Sequence, residues 1–236
     1  MSSFSIPAPL FRRRFLVFDV ETTGLLPTQR KGAPCVPITE YPHILQLSFV
    51  IYDIADKIIV RQSDSYIKIG ADVEISPFVS NLTGITREMC DEKGRDILEV
   101  LEEFYEAYMF CDGIVAHNMS FDEKMIMVEL ERNRPAIMQK APYCFMTFNP
   151  MYEKVHGIER YCTMRKGTDQ CNIMVESKIE GKPASKKWPK LAELHAKLFE
   201  GETVDGLHNS MIDVLTCLRC YLKMRHNFND TRLLPS

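Results

Sequence analysis

The most constraining feature of this sequence is a short apolar run that ends in two closely spaced carboxylates. The run lies in "FLVFDVETTG" at residues 15 to 24, and residues 14 to 21 are typical of a central parallel strand buried on both faces. Alternate side chains of a strand point the same way, so Asp19 and Glu21 project together while Val20 faces the opposite side. Because neighbouring carboxylates repel each other and are costly to desolvate, the pair predicts a divalent cation that prefers oxygen ligands, magnesium or manganese.

Composition places the chain among globular proteins and limits its organisation. Hydrophobic residues make up 45% and charged residues 26% of the 236 positions, and no apolar run reaches the roughly 20 residues of a membrane helix. In "MSSFSIPAPLFRRR" the basic residues follow the apolar part, which is not the order of a secretory signal, so we expect an intracellular protein. No linker divides the chain, which predicts a single domain at 14 to 225, with an N-terminal tail at 1 to 13 and a C-terminal tail at 226 to 236.

The first half of the chain alternates strand and helix patterns, as α/β proteins do. A long connection at 26 to 42 follows the first strand, and a hairpin is expected from the strands at 43 to 53 and 57 to 69. We interpret "SPFVSNLTGIT" as loop, while "DILEVLEEFYEAYMF" has the spacing of an amphipathic helix.

The second half continues the alternation. "GIVAHN" at 113 to 118 predicts a short strand, and Ser120 and Glu123 have the spacing of a capping box, which would begin a helix that runs to about residue 132. A hairpin is expected around "IEGK", and two helices in "PKLAELHAKLF" and at about 209 to 225. Turns are expected near Pro150 and Gly167.

Eight cysteines are spread along the chain without the spacing of a disulfide framework. The best candidates for a structural zinc are Cys144, His156, Cys162 and Cys171, but their spacing is wider than such sites usually have. We therefore expect free thiols in a reducing compartment.

The charge distribution restricts how the chain could bind a nucleic acid. Its net charge of −3 provides no general positive field of the kind that non-specific duplex binders carry, so any contact must be local or metal-mediated. Two basic runs are candidates, and an ordinary solvated surface is the alternative for both. They are Arg12 to Arg14, and the segment that contains Lys178, Lys182, Lys186, Lys187 and Lys190.

Two further segments place acidic side chains where they could join the first pair. Asp122 falls in the first turn of the helix after "GIVAHN", although plain helix capping would also explain it. In "HNSMID", His208 precedes Asp213 by five residues. Their side chains converge best when His208 lies in a loop and Asp213 lies one turn into a helix.

Together, "FDVETTG", "AHNMSFD" and "HNSMID" resemble the three motifs of the DEDD exonuclease superfamily, in its His-containing branch. That branch includes the proofreading subunit of bacterial replicative DNA polymerase and the three-prime repair exonucleases. "PHILQLSFVIYD", "NLTGITREM" and "WPKLAELHAKLF" extend the resemblance over about residues 14 to 225. The sequence departs from the family at Thr83, where His is frequent, at Ser210, where Ala is usual, and in its long 26-to-42 connection.

The resemblance implies a ribonuclease-H-like α/β fold, with a five-stranded mixed sheet flanked by helices. It implies two Mg²⁺ or Mn²⁺ ions, with Asp19 bridging both, Glu21 and Asp213 completing the site of the attacking water, and Asp122 serving the leaving-group side. His208 would be the general base. The implied reaction is 3′-to-5′ exonucleolytic hydrolysis of DNA to nucleoside 5′-monophosphates.

The family's substrate contacts match five further positions. The backbone around Thr22, Thr23 and Leu25 would hold the terminal nucleotide with Leu25 against its base, Ile85 would pack on the other side, and Asn118 would orient a phosphate. A simple turn at the threonines and core packing of Leu25 and Ile85 are the alternatives. The expected partners are single-stranded or frayed 3′ ends of DNA and no membrane, for a monomer or a dimer.

Two other functions stay open. The same chemistry could act on RNA, because the sequence has no clear device for reading a 2′-hydroxyl group. The second open function is that of a polymerase-associated proofreading or interaction subunit. A protein that only serves as a scaffold would not need clustered like charges, which argues against this function. The short segment "NFNDTRLLPS" after the last helix favours a free-standing enzyme.

Overall fold

A five-stranded mixed sheet forms the centre of the computed structural model, which describes residues 13–28, 32, 35–176 and 183–234. The strand order is β3-β2-β1-β4-β5. β1 pairs antiparallel with β2 and parallel with β4, and β4 pairs parallel with β5. The predicted fold is confirmed. The strands are β1 (Arg14–Thr22), β2 (Ile44–Asp53), β3 (Ile58–Tyr66), β4 (Gly113–Ala116) and β5 (Glu159–Cys162).

Within the described ranges, nine α-helices and a small hairpin complete the fold. The hairpin is formed by β6 (Met174–Val175) and β7 (Ser185–Lys186), as expected around "IEGK", whose residues lie outside the described part. The helices are α1 (Pro77–Thr83), α2 (Arg87–Lys93), α3 (Ile97–Met109), α4 (Met119–Arg132), α5 (Arg134–Lys140), α6 (Pro150–His156), α7 (Thr163–Cys171), α8 (Leu191–Leu198) and α9 (Ser210–His226). Short 3₁₀ helices lie at Ile38–Glu40 and Pro142–Met146.

Strand alternation divides the side chains of β1 between two hydrophobic cores, one on each face of the sheet. Phe18 and Val20 pack with Phe104 of α3 and with α4, while Phe15 and Val17 pack against α9. The two carboxylates that follow in β1 continue the α9 face. The alternation of side chains along this strand thus places the carboxylates on the face that packs against α9.

The interpretation of "SPFVSNLTGIT" as loop is wrong, because α1 forms there. Ser76 caps its first turn by accepting a hydrogen bond from the backbone N–H of Val79 at 3.3 Å. Gly84 ends the helix at φ 73°, a left-handed conformation that glycine adopts without strain. The serine, proline and glycine that produce these ends are all in the sequence, but the helix between them is only seven residues long.

The expected capping box is also wrong. The N-cap of α4 is Asn118, at φ 63°, so Ser120 and Glu123 lie inside the helix, where Glu123 pairs with Arg160 instead. A left-handed residue turns the chain sharply between strand and helix, which lets the helix begin two residues earlier than the serine would.

Two predicted turns are helical. Pro150 is the first residue of α6, where its missing N–H costs nothing. Gly167 lies within α7, and a Cβ atom there would meet Leu194 Cδ1 at 2.6 Å. The glycine therefore permits close packing of α7 on α8.

Residues after α9 pack on the rest of the molecule. Leu233 is buried with the α9 core, and the Tyr52 hydroxyl donates to Asp230 at 2.9 Å.

All eight cysteines are free thiols, as expected. Among the helices in the described ranges, none has the length and apolar character needed to cross a membrane.

Candidate active site

The three acidic segments of the sequence meet at one edge of the sheet. β1, β4 and β5 run parallel, so their carboxyl ends lie side by side, and open α/β sheets place ligands at that edge. β1 contributes Asp19 and Glu21 there, and the first turn of α4, which follows β4, contributes Asp122. The loop before α9 and its first turn add His208 and Asp213.

Glu21, His208 and Asp213 form the cluster best suited to hold a cation. One potential ligand atom from each lies within 4.8 Å of the other two, and this is the only such group of three or more within the part of the chain that the structure describes. The cysteines and histidine considered for zinc, Cys144, His156, Cys162 and Cys171, are not brought together in this way.

Asp19 lies beside this cluster on the same face of β1. Its Oδ2 atom and Oδ1 of Asp213 are buried without a hydrogen-bond partner among the described residues. Buried carboxylate oxygens normally have a partner, since an unpaired one carries the full cost of desolvation. A positive ion between these oxygens would remove that cost.

Asp122 approaches the same edge from the other side of the sheet. It is 2% exposed, and its Oδ1 atom accepts the backbone N–H of Val20 at 3.2 Å. That hydrogen bond fixes the first turn of α4 against the strand residue between Asp19 and Glu21. The alternative of plain helix capping does not account for this contact across the sheet edge.

The four carboxylates perturb one another's acidity. Burial raises the pKa of Asp19 and of Asp122 well above the ordinary range, and the charge of Asp213 adds to the effect at Asp19. Burial and the charges of Asp19 and Asp213 raise the pKa of Glu21 to about 9. Burial raises the pKa of Asp213 to about 7, although the backbone N–H of His208 opposes it. Such a set binds protons when no metal is present, and its oxygen donors suit Mg²⁺ or Mn²⁺.

His208 is held beside Asp213 by the backbone and not by its ring. It is exposed in the loop before α9 at φ 72°, and its N–H donates to Asp213 Oδ2 at 3.2 Å. The predicted arrangement, a loop histidine with Asp213 one turn into the helix, is confirmed. The imidazole is therefore free to face the space between the carboxylates.

A second layer of polar residues positions the start of α9, and sequence reasoning missed it. The buried Gln46 accepts the N–H of Ser210 at 3.3 Å and donates to Asp64 Oδ1 at 2.7 Å. The Ser210 hydroxyl donates to the backbone oxygen of Asp19 at 2.8 Å. The signal was present in "ILQLSFV", where Gln46 and Ser48 interrupt an apolar strand at alternate positions, opposite Glu21 and Asp19.

Four of the expected substrate positions border the site. Leu25 is 86% exposed, which excludes the alternative that it is a core residue. Thr22 donates its hydroxyl to the oxygen of Gly24 at 2.6 Å, and Thr23 exchanges two hydrogen bonds with the backbone of His43, so both hydroxyls shape the turn that presents Leu25. Asn118 lies at the turn into α4.

Ile85 is placed differently from its predicted role against a base. It is 1% exposed and packs with Leu45, Ile69, Val79 and Cys90. The alternative of core packing therefore describes Ile85, because its side chain has no surface to offer a nucleotide.

The two basic runs differ in their relation to the site. Arg14 begins β1 and Arg13 precedes it, and both pair with Asp53 at the end of the strand opposite to the carboxylates. Five residues of strand, about 16 Å, separate Arg14 from Asp19. Lys186 ends β7, and Lys187 and Lys190 lie between β7 and α8, where the Pro189 backbone oxygen contacts His117 at the carboxyl end of β4. Arg12, Lys178 and Lys182 lie outside the described residues.

Comparisons with known proteins agree with this geometry. The family model described as Exonuclease (RNase_T) matches residues 16–221. The chain belongs to this exonuclease family, within the DEDD 3′–5′ exonuclease superfamily, whose members generally use divalent metal ions.

Individual relatives support the same grouping. The DNA polymerase III PolC-type protein of Thermotoga petrophila is 36% identical over 118 residues, 50% of this chain and 7% of that protein. The 3′-5′ exonuclease DinG of Bacillus subtilis is 32% identical over 123 residues, 51% of this chain and 11% of that protein. The chain thus matches only a small part of the length of these relatives.

Solved structures share the fold. E. coli Exonuclease I in complex with a dT13 oligonucleotide superimposes with a TM-score of 0.61 at 18% identity, over 92% of this chain and 42% of that one. A 3′-exonuclease described for 3′-end specific recognition of histone mRNA stem-loop gives a TM-score of 0.59 at 15% identity, over 91% and 64%.

Proposed function

We propose that this chain is a metal-dependent 3′-to-5′ exonuclease that hydrolyses single-stranded or frayed DNA ends to nucleoside 5′-monophosphates. The observation that carries the proposal is the meeting of Glu21, His208 and Asp213 within 4.8 Å, beside the unpaired buried oxygen of Asp19. These residues come from two segments far apart in the chain, and membership of the exonuclease family supplies the reaction class.

We propose that Asp19, Glu21, Asp122 and Asp213 hold two Mg²⁺ or Mn²⁺ ions. Carboxylates with raised pKa values release their protons when a divalent cation replaces them, so ion binding and deprotonation of the site occur together. When bound, such ions neutralise phosphate charge and make a water acidic enough to attack near neutral pH.

The protein's own residues would prepare the attack. His208 would accept a proton from the attacking water on an imidazole nitrogen, and its exposed loop position lets the proton pass on to solvent. Asp213 orients that loop through the His208 N–H at 3.2 Å. Asp122, fixed by the Val20 N–H, would help to hold the second ion, which would stabilise the negative charge that develops on the leaving 3′ oxygen.

Leu25 is the residue best placed to meet the terminal nucleotide. Its exposed side chain follows a turn that hydrogen bonds of Thr22 and Thr23 support, so a base could pack against it. Contact of this kind tolerates every base, which suits an enzyme that shortens strands of any sequence.

The direct test incubates a 5′-labelled single strand with magnesium. Release of mononucleotides and a ladder that shortens from the 3′ end are expected, and Asp19→Ala abolishes both while the circular dichroism spectrum stays unchanged. Asp205→Ala, which removes an exposed carboxylate three residues before His208, serves as the control and keeps full activity. Cuts within the strand, or undiminished release by Asp19→Ala, would contradict the proposal.

RNA is the second candidate substrate, favoured by the fold shared with the 3′-exonuclease described for histone mRNA. Matched DNA and RNA oligonucleotides of one sequence separate the two: a higher kcat/KM on DNA supports the first proposal, and the reverse supports RNA.

A role beside a polymerase is suggested by the PolC-type relatives. Size-exclusion chromatography of the pure chain tests whether it is a monomer or a dimer.

A further inference from the structure

The carboxyl end of a third parallel strand brings a cation and an exposed aromatic ring to the edge that holds the carboxylates. Arg165 lies in the first turn of α7, directly after β5, and its guanidinium carbon lies 5.7 Å from the centre of the Trp188 ring. Trp188 is 60% exposed. We propose that Arg165 and Trp188 form a subsite for a nucleotide upstream of the scissile bond, where the base stacks on the indole and the guanidinium binds a phosphate.

Hydrogen bonds connect the segments that carry Arg165 and Trp188 to the residue that follows β4. His117, the residue before Asn118, contacts the Pro189 backbone oxygen through Nε2 at 3.0 Å and the Thr163 hydroxyl through Nδ1 at 2.9 Å. Pro189 follows Trp188, and Thr163 begins the helix that carries Arg165. One partly buried imidazole thus contacts both halves of the subsite, and desolvation lowers its pKa to about 4, so the ring stays neutral near pH 7.

The local charges distinguish Arg165 from two neighbouring lysines of this surface. Lys186 pairs with Asp169 at 2.7 Å and Lys187 pairs with Glu193 at 2.6 Å, so these two positive charges are largely compensated within the protein. Arg165 has no carboxylate partner within ion-pair distance among the described residues. A phosphodiester is therefore better matched to Arg165 than to Lys186 or Lys187.

The spacing of the sheet places this subsite upstream of the bond that is cut. β5 lies two strands from β1, about 10 Å at the usual strand separation. A stacked strand covers that distance in about three nucleotides, at about 3.4 Å each, and an extended strand covers it in fewer. A substrate with a single nucleotide does not reach the pair, and an oligonucleotide does.

This difference gives a kinetic test, which rests on the proposed exonuclease function. Trp188→Ala and Arg165→Ala should each raise KM for a ten-nucleotide single strand by about 5- to 100-fold, the range for the loss of one stacked base. Both variants should keep wild-type kcat/KM on the p-nitrophenyl ester of thymidine 5′-monophosphate, which offers only a terminal nucleotide. Trp188→Phe, which keeps an aromatic ring, should have a KM for the oligonucleotide close to that of the wild type.

The chain contains a matched control for the loss of an exposed ring beside an arginine. Arg14 lies 4.0 Å from the centre of the Phe110 ring, which is 49% exposed at the opposite edge of the sheet. Phe110→Ala should leave KM for the oligonucleotide unchanged. An equal rise in KM for this variant, or no rise for Trp188→Ala, would overturn the subsite.

Fluorescence tests the same contact without relying on turnover, because Trp188 is the only tryptophan of the chain. Mixing the protein with excess oligonucleotide and magnesium should quench its emission, whereas thymidine 5′-monophosphate should not. Quenching without hydrolysis would refute the proposed function and keep the subsite. Hydrolysis without quenching would refute the subsite and keep the function.

Discussion

Asp213→Asn should stabilise the metal-free protein while it removes activity. Burial raises the pKa of Asp213 from 3.8 to about 7, so ionising this side chain is harder in the folded state than in the unfolded chain. The rise is about three powers of ten, each worth about 1.4 kcal/mol, which corresponds to about 4 kcal/mol at pH 8. An asparagine must also be buried and recovers only part of this, so a gain of about 2 to 4 kcal/mol is expected.

The pH dependence distinguishes this mechanism from better packing. Between about pH 4 and pH 7 the folded state holds a proton at Asp213 that the unfolded state has released, so the contribution of this group to stability falls as pH rises and is constant above about pH 7. At pH 5 the buried Asp213 side chain reduces the free energy of unfolding by only about 1.5 kcal/mol. The variant's advantage should therefore be clearly larger at pH 8 than at pH 5.

Urea unfolding in EDTA, followed by circular dichroism at the two pH values, measures the effect. The substitution keeps an oxygen that can accept the His208 N–H, and its amide can donate toward Asp19, so the local structure is retained. Asp205→Asn removes an exposed carboxylate of the same loop and should change little. The reasoning would be refuted if the Asp213→Asn variant were no more stable than the wild type at pH 8. It would also be refuted if the gain in the free energy of unfolding were the same at both pH values.

Three further substitutions, and a fourth that serves as a control, test separate features of the site and fold. His208→Ala should slow hydrolysis by about 10²–10⁴ and leave binding of manganese, followed by calorimetry, nearly intact; collapse of ion binding would make His208 a ligand. Gln46→Leu leaves Ser210 N–H without its acceptor and should reduce the free energy of unfolding by about 1–3 kcal/mol and lower kcat; unchanged kcat would remove its positioning role. Gly94→Ala would place a Cβ atom 2.0 Å from the Cys90 oxygen and should destabilise by about 3 kcal/mol in urea, whereas Gly24→Ala, with open space around it, should cost under about 1 kcal/mol.

Local patterns were enough to predict strands β1 to β4 and the two halves of the site that depend on one strand and one helix, whereas the five-stranded mixed sheet was implied by the family resemblance. Successive side chains of a strand point to opposite faces, so Asp19 and Glu21 of β1 must share a face whatever surrounds them. The five-residue offset of His208 and Asp213 predicted a loop and a helix start, and the structure has both. These inferences needed only the geometry of one strand and one helix.

Short helices and helix ends were predicted less well, for a physical reason. A helix of seven residues such as α1 buries little apolar surface of its own, so its hydrophobic pattern is weak and its caps carry most of the signal. At α4, the left-handed Asn118 overrode a sequence pattern that favours a start at Ser120. The backbone conformation there follows from how the strand and helix pack, which no local pattern contains.

By itself, the sequence determined the strand that pairs Asp19 with Glu21, the loop and helix that join His208 to Asp213, and the family to which these motifs belong. Only the tertiary structure decided that Asp122 binds Val20 N–H across 102 residues of chain, that Ile85 is covered by core residues, and that Trp188 stands beside Arg165. Side-chain direction within one element repeats with the backbone and can be read locally. Contact between elements depends on how all of them pack together, and that is set by the whole fold.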